Sequence, residues 1–155
     1  MSAFLTAFPG VVRAIVTDVG FVLGTTETST RVVKSRALWD TGAVTSVIDK
    51  SFVEKLGLVP FDTGRAYTAQ GFYESSMYLV DVLLPNDIIV KGLRVGDGEF
   101  QDFDFLIGMD VISLGDFHLT NDGNTVFKFV IPPESNPNNI TAQPSSAPCP
   151  NNFKA

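Results

Sequence analysis

The sequence predicts an all-β fold, a small closed β-barrel with one or two short helices. Two observations predict this class: short runs rich in Val, Ile and Phe, and frequent turn residues between those runs. About seven such runs separated by turns are typical of a small closed β domain. The chain of 155 residues has the length of one domain, and its hydrophobic content of 45% is enough for a buried core.

Each predicted strand is a short apolar segment bounded by polar or turn residues. The first two strands are separated by the polar residues 24–30, which indicate a connecting turn. In a later segment Tyr78, Val80 and Val82 fall on one face, as alternation along a strand requires. The predicted strands are residues 11–23, 31–40, 45–48, 77–84, 88–95 and 100–106.

Two short helices are predicted between strands. Residues 51–56 place apolar side chains at positions i, i+1 and i+4, and Gly57 suits the left-handed position that ends a helix. The second helix begins near Asp110, which is a suitable N-cap, and ends at Gly115. Both helices are too short to change the all-β class.

The composition divides the chain into three parts. Residues 1–10 are predicted to form an N-terminal arm and residues 11–132 the folded domain. Residues 133–155 are rich in Pro, Asn and Ser and have few apolar side chains, which indicates a disordered tail or linker. The arm lacks the positively charged start of a signal peptide, and no run approaches the roughly 20 apolar residues that span a bilayer.

Charge and cysteine content exclude several classes of function. The net charge of -6 argues against a nucleic-acid partner, because such binding depends on clustered Lys and Arg side chains at phosphates. Cys149 is the one cysteine, so the chain can form neither an internal disulfide nor a thiolate metal site. We therefore expect a cytoplasmic protein that binds no nucleic acid and no membrane.

The most informative motif is Asp40-Thr41-Gly42-Ala43, which follows the apolar Ala37-Leu38-Trp39. About 65 residues later the chain contains Leu106-Ile107-Gly108. Together these motifs resemble the active-site frame of the retropepsin-like (retroviral-type, single-lobe) aspartic protease family, and the chain resembles a bacterial-type member. The resemblance covers roughly residues 11–132 and implies a retropepsin-type barrel. It also implies a homodimer, because these enzymes need two facing aspartates and the length is that of one lobe.

The resemblance implies that Asp40, Thr41 and Gly42 are the catalytic residues of an aspartic endopeptidase. In such an enzyme one carboxylate takes a proton from water while a second, protonated carboxyl donates a hydrogen bond to the scissile carbonyl oxygen, without a metal or another cofactor. Aspartic proteases are the standard example of two carboxyl groups that share one proton, because like charges about 3 Å apart cannot both ionise easily.

A flap is also implied, meaning a hairpin that closes over bound peptide and excludes water. We expect it between Gly64 and Tyr78, with its tip near Gln70-Gly71. An extended peptide or protein substrate would add as a strand, with main-chain hydrogen bonds giving affinity and side-chain pockets giving preference. The implied substrate-binding residues are Ala43, Ala69, Gln70, Gly71, Ile107 and Gly108.

One pair of positions departs from the family pattern. Retroviral members carry an acidic residue after the alanine and an arginine after the second glycine, which form an ion pair. Val44 and Met109 occupy these positions here, so we expect packing in place of the ion pair. The triplet also recurs at Asp62-Thr63-Gly64, where no apolar strand precedes it, and this second copy is predicted to be a turn.

Two alternatives remain open. The chain could be a catalytically silent retropepsin-fold module for dimerisation or peptide binding, or a structural protein whose tail is the functional segment. A serine- or cysteine-type triad would require His118, the one histidine, and no Gly-x-Ser-x-Gly motif accompanies it. Asp104 and Asp110 flank the second glycine and are interpreted as a strand-surface residue and a helix cap, so no metal is expected.

Overall fold

The structure, a computed structural model, describes residues 1–26 and 29–133. Within these ranges the chain forms ten strands and two short helices, which confirms the predicted all-β class. Cys149 and, apart from residue 133, the tail predicted at 133–155 lie outside the described residues.

The strands predicted at 11–23, 31–40, 77–84 and 88–95 correspond to long strands of the structure. In chain order the elements are β1 (Ser2–Ala7), β2 (Ile15–Thr26), β3 (Ser29–Trp39), β4 (Val47–Asp49), α1 (Lys50–Leu56), β5 (Asp62–Thr68), β6 (Gly71–Leu84), β7 (Ile88–Gly98), β8 (Phe105–Ile107), α2 (Met109–Ile112), β9 (Asp116–Asp122) and β10 (Asn124–Ile131). The strand predicted at 100–106 is shorter than expected and begins only at Phe105.

Six strands form a closed barrel. They are hydrogen-bonded in the order β2-β3-β8-β4-β7-β6, and pairing between β2 and β6 closes the ring. β5 lies outside the ring and forms a hairpin with β6. β3 and β8 run parallel, with Trp39 opposite Ile107. Because parallel strands end at the same edge of a sheet, the segments that follow Trp39 and Ile107 lie side by side.

Aromatic side chains fill much of the barrel core. Phe21 from β2 packs edge-on against Phe105 from β8 and Phe52 from α1, with ring centroids 5.1 Å and 5.3 Å apart. All three rings are buried. Edge-to-face pairs of this kind add to the free energy gained from burying the rings. They hold α1 and β8 against β2 within the core.

A second, three-stranded sheet packs beneath the strand that leads to Asp40. Its order is β1-β10-β9, so the predicted N-terminal arm forms a regular strand with its Phe4 side chain in the core. Trp39 lies against the rings of Phe4, Phe127 and Phe129, and its indole N–H donates to the Thr17 hydroxyl over 2.9 Å. The end of β3 is therefore held both by packing and by a buried hydrogen bond.

Asp49 is a buried carboxylate that caps α1. Its oxygens accept hydrogen bonds from the backbone N–H of Ser51 over 2.9 Å and of Phe100 over 2.8 Å, and from the Ser51 hydroxyl. Burial alone would raise the pKa of Asp49, but the hydrogen bonds from Ser51 and Phe100 lower this pKa below its ordinary value. At the other end Gly57 adopts the predicted left-handed conformation, with φ of 66°.

Two local predictions are wrong. Asp62-Thr63-Gly64 is not a turn, because it begins β5 and pairs with Met77, Ser76 and Ser75 of β6. Asp110 is not the N-cap of the second helix, since that position belongs to Gly108. The Asp110 carboxylate instead accepts hydrogen bonds from a distant residue, Ser46, just beyond the Asp40 loop. In both cases long-range pairing overrides the local preference of the sequence.

We predict that Asp49→Asn lowers the free energy of unfolding at pH 7 by about 1–3 kcal/mol, because an amide offers one oxygen acceptor to three donors. A carboxylate with a lowered pKa stabilises the fold fully above its unfolded pKa, near 3.8, and loses that contribution as the pH falls through the folded pKa. Urea unfolding should therefore show the gap between wild type and variant narrowing below about pH 4.

The exposed Asp102 supplies the control. The free energy of unfolding of Asp102→Asn should lie within about 0.5 kcal/mol of the wild-type value at pH 7 and at pH 3. A gap for Asp49→Asn that stays constant between pH 7 and pH 3 would contradict this account of the Asp49 carboxylate.

Candidate active site

The Asp40 loop follows β3 and faces solvent. The Asp40 backbone N–H donates to the Ile107 carbonyl over 2.9 Å, so the loop begins attached to β8. The Gly42 N–H donates to the Asp40 carboxylate over 2.8 Å. Asp40 is half-buried, whereas Thr41 and Gly42 are exposed. The carboxylate is thus oriented by its own loop and remains accessible to a water, a peptide or another chain.

Close approach explains both glycines of the predicted motifs. A Cβ at Gly42 would lie 3.1 Å from the Asp40 carboxylate oxygen, which is tighter than ordinary contact. A Cβ at Gly108 would lie 2.7 Å from the Thr45 carbonyl carbon and 3.0 Å from the Ala43 oxygen. Both neighbours of Gly108 are backbone atoms, which cannot swing aside as a side chain can. A side chain at position 108 would therefore displace the Asp40 loop.

Backbone hydrogen bonds join the Asp40 loop to the start of α2. The Met109 N–H donates to the Ala43 carbonyl over 2.8 Å, and the Asp110 N–H donates to the Val44 carbonyl over 3.2 Å. Val44 and Met109, at the positions where the ion pair of retroviral members is expected, are 51% and 37% exposed. The main chain thus brings the two positions together, although neither side chain is buried.

Ser46 and Asp110 form a polar network behind the loop. Ser46 is fully buried, and its hydroxyl donates to one Asp110 oxygen over 2.7 Å while its N–H donates to the other over 2.9 Å. The Gly108 N–H in turn donates to the Ser46 hydroxyl oxygen over 3.0 Å. Every hydrogen-bonding group of this network has a partner, which is the condition under which buried polar groups stabilise a unique arrangement.

The predicted flap forms a hairpin from β5 and β6. Thr68 pairs with Gly71, which leaves Ala69 and Gln70 as the two residues of the turn. Near the tip Tyr67 and Phe72 face each other with ring centroids 6.1 Å apart. These rings are 66% and 59% exposed, an unusual state for aromatic side chains. The tip of the hairpin is therefore an apolar surface that is open to solvent.

A cavity of about 520 Å³ lies between Ala43 of the Asp40 loop and the part of the hairpin near its tip, at Tyr73 and Glu74. Its apolar lining comes from Ala43, Val47, Tyr73, Gly98, Phe100 and Leu106. Three charged residues also line it, Lys50, Glu74 and Glu99. The cavity borders the Asp40 loop directly, because Ala43 forms part of its wall.

Of the substrate-binding residues predicted from the sequence, Ala43 lines this cavity. Ala69, Gln70 and Gly71 lie together at the hairpin tip. Ile107 is fully buried, so its part in the site is the carbonyl that holds Asp40, and the neighbouring Leu106 lines the cavity instead. The alternation of side chains along β8 could have shown from the sequence that Ile107 and Leu106 face different sides, because successive side chains of a strand point to opposite faces.

The other walls of the cavity are not among the site residues predicted from the sequence. Val47 and Leu106 are cross-strand partners on β4 and β8, whereas Tyr73 and Phe100 come from distant parts of the chain. No local pattern identifies the latter two, since their meeting depends on the barrel closing.

Asp62 of the second triplet begins β5, opposite Met77, and its carboxylate accepts a hydrogen bond from the Thr63 N–H over 2.8 Å.

Comparisons with known proteins find one matching family model and several similar solved structures. A family model described as aspartyl protease matches residues 25–113, more than half of the chain. The chain is similar to a retropepsin-like aspartic protease from Rickettsia conorii, with 19% identity and a TM-score of 0.52 over 83% of this chain and 94% of that one. It is also similar to the protease of Simian Foamy Virus (mac), with 17% identity and a TM-score of 0.46 over 64% and 92%.

The likeness to the Rickettsia structure confirms the retropepsin-type barrel predicted from the sequence. No protein with a curated function matches the sequence. Across the part of the chain that the structure describes, neither helix has the length and apolar character needed to cross a membrane.

We predict that Ser46→Ala lowers the free energy of unfolding by about 1–3 kcal/mol, because it leaves the buried Gly108 N–H without its acceptor and removes the hydrogen bond from the Ser46 hydroxyl to Asp110. Ser113→Ala is the matched control, since this exposed serine ends α2 and is expected to change stability by less than about 0.5 kcal/mol. Urea unfolding compares the two variants. Equal stabilities would show that the Ser46 network does not brace the loop.

Proposed function

This chain belongs to the aspartyl protease family, and from that premise we propose that it is an aspartic endopeptidase whose active site is shared by two copies. The observation that carries the proposal is the Asp40 loop. An accessible carboxylate is fixed by the Gly42 N–H in a loop that β8 and α2 hold from behind. Such preorganisation is what a carboxylate needs to position water for attack on a carbonyl.

Two copies are needed because the proposed chemistry uses two carboxyl groups. One accepts a proton from the attacking water while the other, protonated, donates a hydrogen bond to the scissile carbonyl oxygen. The only repeat of the triplet begins at Asp62, which lies on a paired strand and not on a loop braced by β8. A homodimer that brings two Asp40 loops together supplies the second carboxyl group without any further residue.

Each residue of the motif then has a role. Asp40 from both copies forms the dyad, in which one carboxyl group is the proton acceptor and the other is the hydrogen-bond donor. Thr41, which is exposed, is proposed to hydrogen-bond across to the partner loop, as the family resemblance implies. Gly42 orients the carboxylate through its N–H. It also leaves room for the carboxylate, because a Cβ at this position would lie 3.1 Å from an Asp40 carboxylate oxygen.

The substrate is proposed to be an extended peptide or protein segment between the Asp40 loop and the β5–β6 hairpin. Ala43 and Gly108 lie on the loop side, and Ala69, Gln70 and Gly71 on the hairpin side. Ile107 contributes through its carbonyl, which holds the Asp40 N–H. Closure of the apolar hairpin tip over the peptide would exclude water from the dyad. The cytoplasmic location stays a prediction from the sequence.

We predict that Asp40→Asn lowers the rate of peptide cleavage by about a hundredfold to ten-thousandfold or more, because it removes the proton acceptor. The chain contains its own matched control, since Asp62→Asn alters the same Asp-Thr-Gly triplet outside the braced loop. We expect that variant to keep the wild-type rate. Mass spectrometry of a mixed-peptide library digested between pH 3 and pH 8 measures both.

Equal loss of cleavage in the two variants would contradict the assignment of Asp40. A folded wild-type protein that cleaves no peptide, yet binds peptides equally well with and without Asp40→Asn, would identify the catalytically silent binding module instead.

A further inference from the structure

The charged residues around the cavity beside Ala43 distinguish this chain from the apolar pockets that the family resemblance implies. A role for this cavity in choosing a substrate side chain rests on the proposed peptidase function. Its walls are apolar, but Lys50, Glu74 and Glu99 stand at its edge. A volume of about 520 Å³ exceeds what a short aliphatic side chain fills, so the edge residues would meet the end of a long one.

The walls suit the aliphatic part of a long side chain. Val47 and Leu106 lie on paired strands on one side. Val47 and Phe100 converge over Gly98, where a Cβ would lie 2.9 Å from a Val47 methyl group and 3.4 Å from the Phe100 ring. Glycine at this position thus keeps the space open. Lys and Arg commonly bury their aliphatic stems along such surfaces and leave the charged head in water.

The charge at the edge is negative overall. Glu99 is 83% exposed in its side chain, and its carboxylate lies 3.4 Å from the Lys50 ammonium group. Glu74 adds a second carboxylate, whereas its cross-strand neighbour Arg65 lies with its guanidinium over the Phe72 ring. Lys50 is therefore the one cation among the lining residues, against two carboxylates.

Two buried carboxylates lie just behind the lining. Asp49 accepts a hydrogen bond from the Phe100 N–H, and Asp97 precedes Gly98 and accepts hydrogen bonds from the Ser75 hydroxyl and the Ser76 N–H over 2.9 Å and 3.1 Å. Their charges add to the negative potential of the cavity, because fields are weakly screened near buried groups. A neutral side chain in the cavity would gain no electrostatic attraction from this potential, and an anionic side chain would be repelled.

We propose that the cavity is the subsite for a lysine or arginine side chain of the substrate. The stem of that side chain lies against Val47, Leu106 and Phe100, and its charged head lies beside Glu74 and Glu99. Lys50 competes with the head for Glu99 and so limits the preference. A cationic head near the Phe100 ring gains a further cation–π attraction.

The test uses peptides that carry arginine, the isosteric but neutral citrulline, norleucine or glutamate at one position at a time. The values of kcat/KM are compared for the wild-type chain and the Glu74→Gln, Glu99→Gln and Lys50→Met variants. Glu54→Gln is the matched control, because Glu54 is exposed on α1 and does not line the cavity. The readout is the ratio of arginine to citrulline at each position.

We expect one position at which wild type prefers arginine, with a preference that falls as salt is added. Each glutamine variant should reduce that ratio by about 1.5- to 5-fold, and Lys50→Met should raise it by a similar factor, as exposed charge pairs commonly do. The glutamine variants and Lys50→Met are thus expected to change the ratio of arginine to citrulline in opposite directions. General damage to the cavity would instead lower this ratio in all three variants. Glu54→Gln should leave it unchanged.

The failure of this proposal is distinguishable from failure of the proposed function. Cleavage with citrulline, norleucine or glutamate equal to or better than arginine at every position would overturn the subsite while the peptidase stands. Absence of any cleavage would instead count against the peptidase, and calorimetric binding of the same arginine and citrulline peptides would then decide the subsite. Equal affinities of the two peptides would overturn it, and tighter binding of arginine that Glu99→Gln weakens would support it.

Discussion

The junction between the Asp40 loop and the segment after β8 is the constraint on which the rest of the site depends. Parallel pairing of β3 and β8 places the two segments side by side, and backbone hydrogen bonds from Asp40 to Ile107 and from Met109 to Ala43 join them. The partly buried hydrogen bond between Ser46 and Asp110, 64 residues apart, completes the junction. Glycine at position 108 permits this approach, because a Cβ there would collide with backbone. A loop held in this way presents its carboxylate in one orientation.

The two sides of this junction differ in how tightly they are packed. Below the loop, Trp39 packs into an aromatic cluster shared with the three-stranded sheet, so the base of the loop has little freedom. Above it, the β5–β6 hairpin carries exposed aromatic rings at its tip, which suits an element that moves onto a peptide. The cavity between them combines apolar walls with carboxylates at its edge. Under the proposed function, the rigid part carries the catalytic carboxylate, and the side chains at the edge of the cavity set the substrate preference.

Much of this arrangement could be predicted from the sequence because its determinants are local. Asp40-Thr41-Gly42 and Leu106-Ile107-Gly108 carry the family pattern, and the hairpin turn lies at Ala69 and Gln70 beside the predicted tip. Features that depend on distant contacts could not be predicted. A bare Asp-Thr-Gly triplet suits a turn, yet at Asp62 pairing with β6 extends it into a strand. Local sequence likewise makes Asp110 a helix cap, whereas the fold uses its carboxylate to hold Ser46.

The central claim is that one active site contains Asp40 from two copies, and mixing subunits tests it most directly. Wild-type and Asp40→Asn chains are combined at equal amounts, allowed to exchange, and assayed for peptide cleavage at fixed total concentration. If two Asp40 residues act together, random pairing leaves about a quarter of the dimers with an intact dyad, and the rate falls to about a quarter of the wild-type value. A rate of about half, as expected if each chain acts alone, would contradict the claim.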